Sequence, residues 1–144
     1  MPYHDAPEGW WREFLLATPP RTAKLAVVRA DGSPHVVPVW VDLDGEDVVF
    51  TCDMDTVKGR AIRRDGRVGL CLDDERPPFH FVTIAGRARI QDDPDEVLRW
   101  ATRIGGRYMG AGRAEEFGRR NAVPGEMLVR VRPERVVAKV DVAD

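Results

Sequence analysis

The chain is poor in lysine, cysteine and aromatic residues, and each shortage closes off a class of function. Only three of its 22 basic residues are lysine, and the formal net charge is -2. A domain that binds nucleic acid or an anionic membrane broadly carries a strongly basic balance, which is missing here. Aromatic residues make up 8% and do not alternate with cations as base stacking requires. The two cysteines, Cys52 and Cys71, are too few for a zinc motif and fall inside predicted strands. They read as buried free thiols, so a reduced, cytoplasmic protein is expected. No apolar run approaches membrane-spanning length, and the first residues show no basic-then-apolar leader. No Gly-x-Gly-x-x-Gly turn follows a strand, which excludes a Rossmann reading. No Ser-His-Asp or Cys-His arrangement can be argued, and no spacing fits a metal site.

What is present is 144 residues with 43% hydrophobic composition, enough for one core. The expectation is a single domain over 1–144. Residues 1–20 form an arm and a short helix, and 21–140 form a barrel with inserted helices. Trp10, Trp11, Phe14 and Leu15 recur at near-helical spacing before Thr18-Pro19-Pro20. Six strands are expected, at 22–30, 35–43, 46–52, 67–73, 79–91 and 126–140, with turns at Asp31-Gly32 and Asp44-Gly45. Helices are expected at 56–64, 95–104 and 112–120. Short strands joined by hairpins, with few helices, give a mainly β, antiparallel barrel with peripheral helices.

The segment between the third and fourth strands concentrates positive charge. Lys58 opens a short helix capped by Asp55 or Thr56, and Arg60, Arg63 and Arg64 share one face of it. A helix start with free N–H groups beside guanidinium and ammonium groups suits an anion, above all a phosphate. The plain alternative is a solvated helix partly neutralised by Asp55 and Asp65. Thr51 adds a hydroxyl from the preceding strand end. Val36-Val37-Pro38-Val39-Trp40 reads either as a buried strand or as a backbone against which a flat redox ring lies. Pro38 cannot donate to a ladder and leaves it open there. His35 and His80 have no identifiable catalytic partner, and Tyr108 is either core packing or a wall over a ring.

These segments carry a resemblance. Lys58-x-Arg60-x-x-Arg63-Arg64-Asp65-x-Arg67-Val68 resembles the signature of the pyridoxamine 5′-phosphate oxidase-like split β-barrels, the FMN-binding split barrel type. More narrowly, it resembles their branch that uses the deazaflavin coenzyme F420. Gly32 to Trp40, Val49-Phe50-Thr51, Pro77 to Ala88, Arg107-Tyr108-Met109-Gly110 and Val131 to Val136 match further landmarks in order. Ala61 and Gly66 depart from the pattern, standing where Asn and Pro are common.

The resemblance implies a six-stranded split barrel that dimerises with its own copy, with cofactor at the subunit interface. It implies that Lys58 and Arg60 hold a cofactor phosphate, with Thr51 assisting and Cys52, Gly59 and Arg64 close by. It lays Val37, Pro38, Val39 and Trp40 along the ring, and brings Phe79 and His80 from the neighbouring subunit. The implied activity is hydride transfer between F420 and an organic acceptor, with His80, Tyr108 or water giving the proton. FMN is the alternative cofactor, and a non-catalytic cofactor binder the alternative role. Arg63, Arg64 and Arg67 are candidates for F420's longer acidic tail.

Overall fold

The computed structural model describes residues 3–143. An antiparallel sheet runs in the order β3-β2-β6-β7-β8-β5-β4, with the two-residue β1 (His4–Asp5) paired to β8. Its strands are β2 (Ala23–Val28), β3 (Pro34–Val39), β4 (Asp42–Asp44), β5 (Asp47–Asp53), β6 (Arg67–Asp73), β7 (Phe81–Gln91) and β8 (Glu126–Val140). The edge strands β3 and β4 lie at opposite ends of that order, yet only Trp40 and Val41 separate them in sequence. So short a link forces the sheet to roll until its edges meet, which makes it an open barrel.

The six expected strands are all present; the count becomes eight because the second divides at Trp40-Val41 and β1 is added. The division has a cause. Val41 N–H donates to Tyr108 Oη at 3.1 Å, and Arg107 donates to the carbonyl oxygens of Val41 and Leu15. The link is therefore bonded to a helix and not to a neighbouring strand.

Alternation fills the barrel. Leu25, Val27, Leu70, Leu72, Val82 and Ile84 point inward with Phe50, Met127, Val129 and Val131. The helix α1 (Trp10–Leu16) closes one end with Trp11, Phe14 and Leu15. Val48, Val49 and Phe50 are all buried in β5, because its outer face is covered too. The cover is α3 (Pro94–Met109), which lays Val97, Trp100 and Ile104 on Val49 and Leu128. Asp93 caps α3 by accepting from Asp95 N–H, and Pro94 begins it. The helix runs five residues past its expected end, since Arg107 and Tyr108 are anchored on the barrel link. A 3₁₀ turn over Ala111–Arg113 leads into α4 (Ala114–Asn121).

Pro133 does not end β8. The pairing of β7 with β8 shifts there, from Ala85↔Arg135 to Gly86↔Pro133, so the missing N–H falls at an irregularity. Gly86 is required at this point: a Cβ on it would lie 2.4 Å from Arg132 O. No helix among the described residues is long and apolar enough to cross a membrane.

Candidate functional site

A cleft of about 550 Å³ opens beside β5, where the ends of β3, β5 and β8 meet α3, α4 and α2 (Val57–Arg64). One wall is apolar: Pro38, Val39 and Trp40 from β3 and its link, with Ala101 and Ile104 from α3. The other carries Thr51, Cys52, Asp53, Thr56, Lys58, Arg120, Asn121 and Glu126. Six of the expected residues thus come together: Pro38, Val39, Trp40, Thr51, Cys52 and Lys58.

The α2 end of the cleft follows from its turn. Thr56 Oγ1 accepts from Gly59 N–H at 3.1 Å and donates to Asp53 O at 2.7 Å, which fixes the helix start against the end of β5. The N–H groups of Val57 and Lys58 meet no acceptor among the described residues. Lys58 makes no ion pair among them either, though its charge reaches Cys52 and Glu126. Free N–H groups, a helix dipole and one unpaired ammonium form an anion-binding corner.

The other expected residues lie outside this cleft. Gly59 is buried behind it and packs against the β5–α2 turn. Val37 packs on the barrel core. Arg60 folds back so that Nε and Nη2 donate to Asp55 O at 3.0 and 2.6 Å. Arg64 reaches the other way, to Val28 O at 2.6 Å. Arg63 donates to Met54 O, and Arg67 forks onto Asp65. The three helix arginines are thus spent on protein acceptors, and the face-sharing inferred from their spacing does not aim them at one ligand. Ala61 points into the barrel core.

Phe79 and His80 sit at the far end of β7. Phe79 is 40% exposed with a φ of 63°, and His80 stacks edge-on against Trp10 while its Nδ1 accepts from Asp141 N–H. Within one chain they are remote from the cleft lining.

Tyr108 has no free proton to offer. Its hydroxyl donates to Arg21 O at 2.6 Å and accepts from Val41 N–H, and burial pushes its pKa up. Its ring stacks on Trp40 at 5.2 Å, holding that indole at the cleft edge. Tyr108→Phe should cost about 1–3 kcal/mol of stability in urea denaturation, the penalty of orphaning part-buried partners. Loss of turnover at unchanged stability would instead mark a chemical role.

Of the cleft groups that escaped the sequence reading, two bring charge from outside the β5–α2 unit. Glu126, the first residue of β8, is half-buried opposite Asp53 in the β5–β8 pairing. Burial first, and then the Asp53 charge, push its pKa up. Arg120 closes the far side from the end of α4. Neither belongs to a local motif; only the β5–β8 register and the α3–α4 turn bring them here. Cys52 is inert: burial pushes its thiol up to about 12.

Fold and cleft together define a mainly β split barrel with an anion-binding corner beside an apolar wall. The chain belongs to the pyridoxamine 5′-phosphate oxidase family, whose profile matches residues 11–139. It is 29% identical over 122 residues to an F420H(2)-dependent biliverdin reductase of Mycobacterium tuberculosis, covering 85% of this chain and 82% of that protein. It is similar to the solved structure of an F420 reductase, with TM-score 0.69 and 27% identity, over 91% of this chain and 98% of that one. A conserved hypothetical protein of Mycobacterium tuberculosis shares the fold at TM-score 0.79 and 22% identity, covering 92% of this chain and 84% of its own.

Proposed function

We propose that this protein is an F420H2-dependent reductase that passes a hydride to an organic acceptor. The observation that carries the reading is the join of an anion corner, made by Lys58 and the Val57 and Lys58 N–H groups, to the apolar wall of Pro38, Val39 and Trp40. The cleft volume lies in the usual range for cofactor sites, about 300–1,000 Å³. The residues therefore fit a phosphate-bearing tricyclic cofactor. Lys58, the α2 start and Thr51 would hold the phosphate; the backbone and apolar side chains of Val39 and Trp40 would orient the ring and exclude water. The cofactor, when bound, supplies the hydride chemistry. The protein supplies position, which needs no nucleophile.

FMN is the second reading, and one observation favours it. Arg63, Arg64 and Arg67 engage protein acceptors, so the cations counted on for F420's acidic tail are not in the cleft. Both 27–29% identical relatives named above carry F420 in their names, which keeps F420 first.

The working unit we propose is a homodimer in the cytoplasm. Val36, 62% exposed, borders a shallow apolar groove of about 560 Å³ with Ala26, Ala85 and Val137 on the outer sheet face. A second copy would cover it and could bring Phe79 and His80 to its neighbour's cleft. Both cysteines are unpaired, in keeping with a reducing compartment.

Titrating dimer-sized material, checked by light scattering, with F420 and with FMN should give saturable fluorescence changes, tighter for F420. Reduced F420 should then turn over with at least one of a panel of biliverdin, quinones and unsaturated carbonyl compounds. Tight FMN retention without F420 binding would transfer the assignment to FMN, and F420 binding with no turnover would leave a carrier.

A further inference from the structure

The cleft is not simply positive. Lys58 and Arg120 bring two positive charges to its lining, and Asp53 and Glu126 bring two carboxylates. An incoming phosphate, singly negative as a diester and about −1.5 to −2 near neutral pH as a monoester, meets a lining that is close to balanced. Neutralising one carboxylate would strengthen the anion corner, and the two are not equivalent. Asp53 Oδ1 is already occupied, accepting from Asp55 N–H at 2.7 Å in the turn before α2. Glu126 makes no ion pair among the described residues and is half-buried.

Its surroundings are defined on every side. From β5 it meets Thr51, whose hydroxyl favours the charged form, and the like charge of Asp53, which disfavours it. From α2 it meets Lys58, which partly offsets that charge. The thiol of Cys52 stays neutral. Arg120 and Asn121 from α4 and the apolar Ala101 and Ile104 from α3 complete the cleft. On its other side Glu126 borders a groove with Asp92, a further negative charge.

We propose that Glu126 is a further grip on the cofactor phosphate: it takes up one proton from solvent as the phosphate enters, and the resulting carboxyl donates to a phosphate oxygen beside Lys58. This rests on the phosphate site described above. A second anion beside Glu126 disfavours its charged form in the same direction as its burial does, so binding and protonation assist each other. A protonated carboxyl is a donor where an ionised one only repels. Phosphate affinity should therefore fall as pH rises through the Glu126 midpoint, independently of the phosphate's own ionisation.

Calorimetric titration with F420, with FMN and with inorganic phosphate, in buffers of different ionisation heat near pH 7, counts the protons taken up. The wild type should take up a substantial fraction of a proton beyond what phosphate's own ionisation accounts for. Glu126→Gln, which keeps a donor and removes the charge, should lose that excess uptake and bind several-fold tighter at pH 8, while matching the wild type within about twofold at pH 5.5. Glu126→Asp should retain the uptake. Carbon NMR of the Glu126 carboxyl should show its midpoint rising on saturation with inorganic phosphate. Binding with no excess uptake, or uptake that persists in Glu126→Gln, overturns the inference and leaves the phosphate site standing. No binding by any of the three probes overturns both.

Discussion

Lys58→Ala should weaken binding of F420 and of FMN by about 1.5–3 kcal/mol, roughly 10- to 150-fold, with no loss of stability. The side chain joins neither barrel core cluster and makes no ion pair among the described residues, so folding does not depend on it. Its ammonium is the cation at the α2 corner of the cleft, and a charge-assisted bond to phosphate has no substitute there. Arg60→Ala is the informative comparison. The family resemblance gives the two residues equal claims on the phosphate, but Arg60 is bonded to Asp55 O and exposed. Its removal should cost several-fold less affinity. Fluorescence titration of both variants decides it: equal losses would mean that Arg60 swings into the cleft, and an unchanged Lys58→Ala would remove the anion corner. The variant should also push the Cys52 thiol and the Glu126 carboxyl further up, since Lys58 favours the charged form of each.

Much of the barrel was legible because its signals are local. Alternation in 67–73 and 79–91 and the Asp44-Gly45 turn specify strands whatever surrounds them. Trp40-Val41 was not, because nothing in Val36 to Leu43 breaks the β pattern. The break comes from Arg107 and Tyr108, some 66 residues on, which capture the backbone of Val41. The same pair lengthens α3 past Gly105-Gly106, where helix propensity alone would let it fray.

The site divides along the same line. Thr51, Cys52 and Lys58 sit within one strand–turn–helix unit, and the unit brings them together by itself. Periodicity puts Arg60, Arg63 and Arg64 on one face, yet long side chains choose acceptors by reach. Three backbone carbonyls, of Asp55, Met54 and Val28, draw them in three directions. Glu126 and Arg120 enter the cleft only through strand register and helix packing, for which one sequence holds no code.

Gly59→Ala should destabilise the fold by about 1–3 kcal/mol, although alanine is the better helix former by roughly 1 kcal/mol. A Cβ at this position would stand 2.3 Å from Asp53 O and 2.9 Å from Met54 O. Neither oxygen can yield cheaply. Asp53 O accepts from Thr56 Oγ1 at 2.7 Å and Thr56 N–H at 3.3 Å, and Met54 O accepts from Arg63. The helix must therefore lift from the end of β5, and in lifting it carries Lys58 and the free N–H groups out of the cleft. Gly112→Ala supplies the contrast, because a Cβ there meets nothing within 4 Å. It should be neutral or stabilising by up to about 1 kcal/mol. Urea unfolding of both variants tests the packing, and F420 titration of folded Gly59→Ala tests the consequence. A stable Gly59→Ala with full cofactor affinity would show that the close seat of α2 on β5 is not what aims the corner. A weakened fold with a matching loss of affinity would tie the phosphate grip to a side chain that has to be missing.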